Sequence, residues 1–212
     1  MNNIIELKNI SKVFNNKKKI TVLKNLNFKF KKGSIYSLSG PSGSGKSTLL
    51  NLLSLIDRPT SGNLKIDNHN INHNKIEDND KIRSNNIGMV YQEKNLLPDF
   101  TALENVCLAS LAINNSHKTA EQESLKIIQK VGLKDRINHF PSELSGGELQ
   151  RIAISRALVN KPRILLADEP TGSLDHENAN QIFNLLFKLK NKDRVIIFAT
   201  HNRFFANKAD YK

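Results

Sequence analysis

Apolar residues follow two rhythms along this chain. Over the first thirty positions they come in short, roughly alternating runs, Ile4-Ile5-Glu6-Leu7, Ile20-Thr21-Val22-Leu23 and Leu26-Asn27-Phe28-Lys29-Phe30, which predict strands rather than helices. Further strands are predicted over 34–38, 63–66 and 87–91. Two uninterrupted apolar runs, 163–170 and 195–200, have the character of strands buried on both faces of a parallel sheet. Between these strands the apolar spacing becomes helical. It predicts helices over 47–55, over a short and mostly exposed 76–83, from Thr101 onward, over 120–131 with Gly132 as the stop, from Ser145 to Lys161-Pro162, and over 177–190. Thr101 with Glu104, and Ser145 with Glu148, each fit a capping box, in which two orphan backbone N–H groups are satisfied reciprocally. Pro59-Thr60-Ser61-Gly62 predicts a turn and 67–74 a polar loop.

The 212 residues suit one domain with an appended lobe. The longest apolar patches, such as Val106-Cys107-Leu108-Ala109, fall far short of the roughly 18 residues of a membrane span. The start Met1-Asn2-Asn3-Ile4-Ile5-Glu6 lacks the basic and long apolar regions of a secretory signal, so a cytoplasmic location is expected. The single cysteine, Cys107, has no intrachain disulfide partner and sits in an apolar helical pattern, as a core residue would. Lys and Arg outnumber Asp and Glu 32 to 20, a formal charge of +12. The excess is spread along the chain, with local density at Lys17-Lys18-Lys19 and Lys29-Phe30-Lys31-Lys32 and no RNA-type aromatic platform. It reads as solvated surface, with attraction to anionic lipid as the second reading; nucleic acid is not an expected partner.

The chemistry centres on Gly40-Pro41-Ser42-Gly43-Ser44-Gly45-Lys46-Ser47-Thr48, which fits G-x-x-x-x-G-K-[ST]. The glycines let the backbone turn and aim several N–H groups at one anion. Lys46 brings a mobile charge for the β and γ phosphates, and Ser47 a hard oxygen for Mg²⁺. A predicted strand precedes this loop and a predicted apolar helix follows it, the context that a phosphate loop requires.

Downstream, Asp168 and Glu169 end a buried strand. That position suits Asp168 to hold Mg²⁺ and Glu169 to orient or deprotonate an attacking water. Gln92 lies just beyond the strand over 87–91, where open α/β sheets bind ligands. His201 follows the last strand, within reach of a γ-phosphate. Ser145 opens a capped helix whose next two residues, Gly146 and Gly147, cost helix stability; they leave room for a bulky anion at the helix N-terminus. Phe14 is readable as core or as a face for an adenine ring, with core the stronger reading of the residue by itself.

This ordered set, together with Leu144 to Arg151 and Ser173-Leu174-Asp175, resembles the ATP-binding subunits of ABC transporters over essentially the whole chain. The resemblance implies an α/β fold: a P-loop NTPase core with a mostly parallel sheet, an N-terminal antiparallel β subdomain and an inserted helical subdomain. One domain, 1–212, would place 1–92 and 160–212 in the core and antiparallel subdomain and 93–159 in the helical subdomain. It also makes Phe14 the adenine-stacking residue, Gln92 a Mg²⁺ and water contact that faces a membrane partner, Glu169 the catalytic carboxylate and His201 the γ-phosphate sensor. Two ATP molecules would be sandwiched in a head-to-tail homodimer, each covered by the partner's Ser145, Gly146 and Gly147, beneath integral-membrane permease subunits.

Within the family, Asn95 to Val106 and Pro141-Ser142-Glu143-Leu144-Ser145 are most similar to the lipoprotein-releasing ATPases. The macrolide-export and cell-division ATPases are the neighbouring alternatives, and a nucleic-acid or ribosome-associated ATPase a more distant one. That subfamily implies peripheral attachment at the cytoplasmic face of the inner membrane. Asn202 stands where the family usually has an acidic residue, which bears on the start of a local helix, and relatives usually continue past residue 212 through another pair of short strands.

Overall fold

The computed structural model describes residues 3–15 and 19–212. Lys17 and Lys18 of the basic run, and Met1 and Asn2 of the N-terminal stretch, lie outside the described residues.

Two four-stranded sheets organise the chain. One is antiparallel, in the order β2-β1-β4-β5, built from β1 (Asn3–Asn15), β2 (Lys19–Lys31), β4 (Ser61–Ile66) and β5 (His69–Asn70). The two runs expected over 20–23 and 26–30 are thus one strand. A bulge absorbs the break in their alternation: Asn9 and Asn25 take left-handed backbone conformations, and the Asn9 N–H donates to Asn27 Oδ1 at 2.9 Å while Asn27 Nδ2 donates to Asn9 Oδ1 at 2.9 Å. The polar stretch over 67–74, expected as loop, contributes the two residues of β5.

The second sheet is parallel, in the order β3-β8-β7-β6, from β3 (Ile35–Leu38), β6 (Ile87–Val90), β7 (Ile164–Asp168) and β8 (Val195–Ala199). Its β7 residues alternate between two cores, as an uninterrupted apolar run requires. Ile164 and Leu166 join Leu50 and Leu53 of α1 (Lys46–Leu53) and Ile5 and Leu64 of the antiparallel sheet. Leu165 and Ala167 join Ile154 of α5 (Gly146–Leu158) and Phe183 of α6 (His176–Lys188). A third cluster unites Val106 of α3 (Ala102–Leu111), Ile128 of α4 (His117–Lys130) and Ile152 of α5.

Both capping boxes form, at Thr101 and at Ser145. Helix α2 (Ile76–Asn86) runs three residues beyond its expected end. Asn202 caps the short α7 (Arg203–Ala206) by accepting from the Phe204 N–H at 2.9 Å, so its amide serves the helix start without an acidic group. Residues 210–211 cover the outer edge of β3: Tyr211 bridges Tyr36 in parallel, and Asp210 Oδ2 accepts from the Ile35 N–H at 2.7 Å. Among the described residues no helix is long and apolar enough to cross a membrane.

Candidate functional site

Parallel register builds the site. Leu38 and Asp168 both pair with Ala199, and Val90 pairs with Ala167, so four strands end at nearly one level. Whatever follows each strand therefore emerges on the same rim: the loop from Ser39 onward, His201, Glu169 and Gln92. A cleft of about 350 Å³ opens there, lined by Ser42, Gly43, Gly45, Lys46, Ser47, Thr48, Gln92, Glu169, His201 and Val22. Nine of these ten are residues that the sequence points to. Val22 is the addition, carried in by β2, and its alternating strand gave no sign of a site.

Gly45 caps α1 at φ 94°, and a Cβ there would lie 3.0 Å from Val22 Cγ1 and 3.1 Å from Leu23 Cδ2. Glycine is thus required twice, for the backbone angle and for the close approach of β2. No side chain caps α1 and no acidic residue sits in its first turn, so the orphan N–H groups and the positive end of the helix dipole face the cleft without competition. Lys46 Nζ donates to the carbonyls of Gly40 at 2.9 Å and Pro41 at 3.0 Å, which holds its charge against the loop. Gly40 and Pro41 line an adjoining hollow of about 570 Å³ together with Thr200 and His201. Ser44 packs back on Gly40, inside the loop.

Glu169 has φ 44°, a left-handed conformation costing a non-glycine residue about 1–2 kcal/mol. Its N–H donates to Ala199 O at 3.1 Å, and Oε2 accepts from the His201 N–H at 3.2 Å. His201 Nε2 lies 3.1 Å from Oε1 but off the line of a hydrogen bond, so that buried oxygen has no donor. The Glu169 side chain is 14% exposed and that of His201 56%, which shields the carboxylate and leaves the imidazole reachable. Asp168 ends β7 without lining the cleft, and its buried Oδ1 also lacks a donor.

One expectation needs correction. Phe14, read by itself as core, is exposed near the end of β1; Lys12 Nζ stands 4.8 Å from its ring centroid, and the ring does not line the cleft. Gly147 is buried, and a Cβ there would lie 2.5 Å from Asn178 Oδ1, so Asn178 of α6 packs against it. Gly146 and Ser145 are exposed, and neither lines this chain's own cleft.

Sequence reasoning passed over the residues that tether the segment after Gln92. Arg156 donates to Lys94 O at 2.7 Å and Asn95 O at 2.6 Å, and burial pulls its guanidinium pKa down. Buried Asn105 donates to the carbonyls of Leu97, Phe100 and Thr101. An arginine inside an otherwise apolar helix stretch was the available signal, since such a charge needs partners. Cys107 is half-buried and burial pushes its thiol pKa up, the opposite of an activated nucleophile.

A phosphate loop before a helix, carboxylates at the end of another strand of the same parallel sheet and a histidine just past the strand between them define the P-loop NTPase class. Comparison with known proteins is more specific: the family model described as ABC transporter matches residues 23–172. The lipoprotein-releasing system ATP-binding protein LolD of Ehrlichia canis is 45% identical, covering 99% of this chain and 93% of the relative. The uncharacterized ABC transporter ATP-binding protein YvrO of Bacillus subtilis is 44% identical, covering 98% and 91%. Among solved structures, the dimeric bacterial ABC transporter cassette MJ0796 superposes with TM-score 0.89 at 40% identity, covering 98% of this chain and 94% of that one. A second MJ0796 structure, a post-hydrolysis state bound to ADP and Pi, gives 0.90 at 39% with the same coverage. This chain belongs to the ABC transporter family and is its ATP-binding cassette.

Proposed function

We propose that the chain powers lipoprotein release from the inner membrane, binding and hydrolysing ATP as a homodimer beneath separate integral-membrane permease subunits. The convergence of Lys46, Gln92, Glu169 and His201 on one cleft carries the ATPase reading, and the LolD relatives support the cargo. In this reading the chain is peripheral, held at the cytoplasmic face of the membrane by the permease.

The loop N–H groups, the α1 N-terminus and Lys46 bind the β and γ phosphates. Phe14 stacks on the adenine. The donorless Asp168 Oδ1 fits a cation site, and Ser47, Gln92 and Asp168 would hold Mg²⁺, which when bound supplies charge neutralisation at the phosphates. Glu169 takes a proton from the attacking water at its carboxylate, while its contact with His201 sets the imidazole beside the γ-phosphate. Because Ser145, Gly146 and Gly147 do not line the chain's own cleft, their place in this scheme is over the partner's nucleotide. Exposed Leu97, Phe100 and Leu108, beside a 450 Å³ apolar groove between α3 and α4, support permease docking next to the segment that Arg156 tethers to α5.

Purification of the tagged chain from membranes tests the reading. A permease that co-purifies and, with ATP, releases labelled lipoprotein from spheroplasts is the expected result, with Lys46→Ala abolishing release. A permease that exports a small molecule instead would replace the cargo assignment and leave the ATPase intact.

A further inference from the structure

The turn that follows Glu169 meets the tip of α5 at two points, Leu174, whose Cδ2 would lie 3.3 Å from a Cβ on Gly146, and Asn178, just past the turn on α6, which packs against Gly147. Asp175 caps α6 and accepts both from the Asn178 N–H at 2.9 Å and from Asn178 Nδ2 at 2.6 Å. With Nδ2 so held, the other end of the amide is fixed as well, and Oδ1 is directed at Gly147, where a Cβ would meet it at 2.5 Å and Cγ at 3.0 Å. At its other end the same turn is bound to the cleft. The Gly172 N–H donates to Glu169 O at 3.0 Å, a Cβ on Gly172 would lie 3.0 Å from Gln92 Nε2, and Lys94 Nζ donates to Ser173 Oγ at 2.5 Å. Residues 169–175 therefore form a short link, with Gln92 and Glu169 at one end and the start of α5 at the other.

From this geometry we infer that Asn178 is a positioning residue: it transmits the placement of the 169–175 turn to the Ser145–Gly147 tip. The inference rests on the homodimer reading, in which that tip closes over the partner's nucleotide. Asn178 touches no reacting atom. Its effect is to make closure over one nucleotide depend on the state of Glu169 and Gln92 at the other, which gives the two sites a shared element with a defined position.

The test uses the full chain in the Glu169→Gln background, where ATP should accumulate the dimer. Adding Asn178→Ala is expected to raise the ATP concentration needed for dimerisation, read by size-exclusion chromatography, about tenfold. ADP affinity, which reports the chain's own cradle, should stay within about twofold of the parent. In the hydrolysing chain the same substitution should lower kcat and bring the Hill coefficient toward 1.

Gly147→Ala should show the same loss alone. In the double variant with Asn178→Ala, only the Asn178 Cβ remains near, at 3.6 Å from the added methyl, so the double should be no worse than Asn178→Ala. Additive losses in that cycle, unchanged dimerisation in Asn178→Ala, or a parallel loss of ADP affinity would each overturn the positioning role. Absence of any ATP-driven dimer in the Glu169→Gln parent would instead overturn the homodimer reading, and the inference with it.

Discussion

Glu169→Gln tests the site at its most specific point. The substitution keeps the shape of the side chain and removes its charge and basicity. Oε2 now accepts from the His201 N–H at 3.2 Å, and an amide oxygen can do the same, so at most one charge-assisted bond weakens, worth about 1–2 kcal/mol. The backbone strain at φ 44° is the same for either residue, and Glu169 belongs to none of the three apolar clusters. The fold should therefore survive. Turnover should not: losing a general base costs about 10²- to 10⁴-fold, or about 3–5 kcal/mol at 1.36 kcal/mol per decade. Affinity should move the other way, because removing a negative charge beside Lys46 and the triphosphate relieves repulsion. Phosphate release at saturating ATP and a titration with fluorescent ATP measure the two quantities. Turnover within tenfold of the unmodified chain would refute Glu169 as the base, and weakened ATP binding would recast it as a binding residue.

Four other outcomes can be checked. Gly88→Ala would put a Cβ 2.2 Å from Ala157 O and 3.0 Å from Pro162 Cγ, forcing β6 and α5 apart; a loss of about 1–3 kcal/mol and about 2–12 °C in Tm is expected, and an unchanged melt would contradict the packing. The Ser145 N–H, Arg136 and the Ser145 hydroxyl hold Glu148 down to about 2 from the ordinary 4.5, so its stabilisation is complete above about 4.5 and is lost as pH falls through about 2. The Tm gap between the unmodified chain and Glu148→Gln should accordingly be constant near neutrality and shrink on acidification; a gap that widens would reverse the sign. Phe14→Ala should weaken ATP by about 1–3 kcal/mol while sparing inorganic tripolyphosphate, if the ring stacks on the base. A mixture of Ser145→Arg and Lys46→Ala chains, each inactive alone, should recover part of the ATPase rate, since their heterodimer keeps one composite site; no recovery would argue against shared sites.

Much of the site was legible because its signals are local. A phosphate loop is a contiguous stretch, a capping box spans four residues, and a pair of carboxylates after an apolar run needs no distant partner to be noticed. Arg156, Asn105 and Asn178 were missed because each acts on a segment or neighbouring helix whose proximity no short window reveals. For Gly147 the contact with Asn178 was missed, since a glycine shows the absence of a Cβ but not what occupies the space.

The linear chain alone thus determined most of the strands and helices, where two of the helices are capped, and which side chains carry charge for a triphosphate; these follow from backbone preference and from periods of two and 3.6 residues. Tertiary structure decided the rest. The order β3-β8-β7-β6 and its register set Lys46, Gln92, Glu169 and His201 on one rim although 155 residues separate the first from the last. Long-range strand pairing chose this order because only the assembled sheet buries both faces of β7 and β8, and that burial depends on all four strands and the helices packed on them, not on any one stretch.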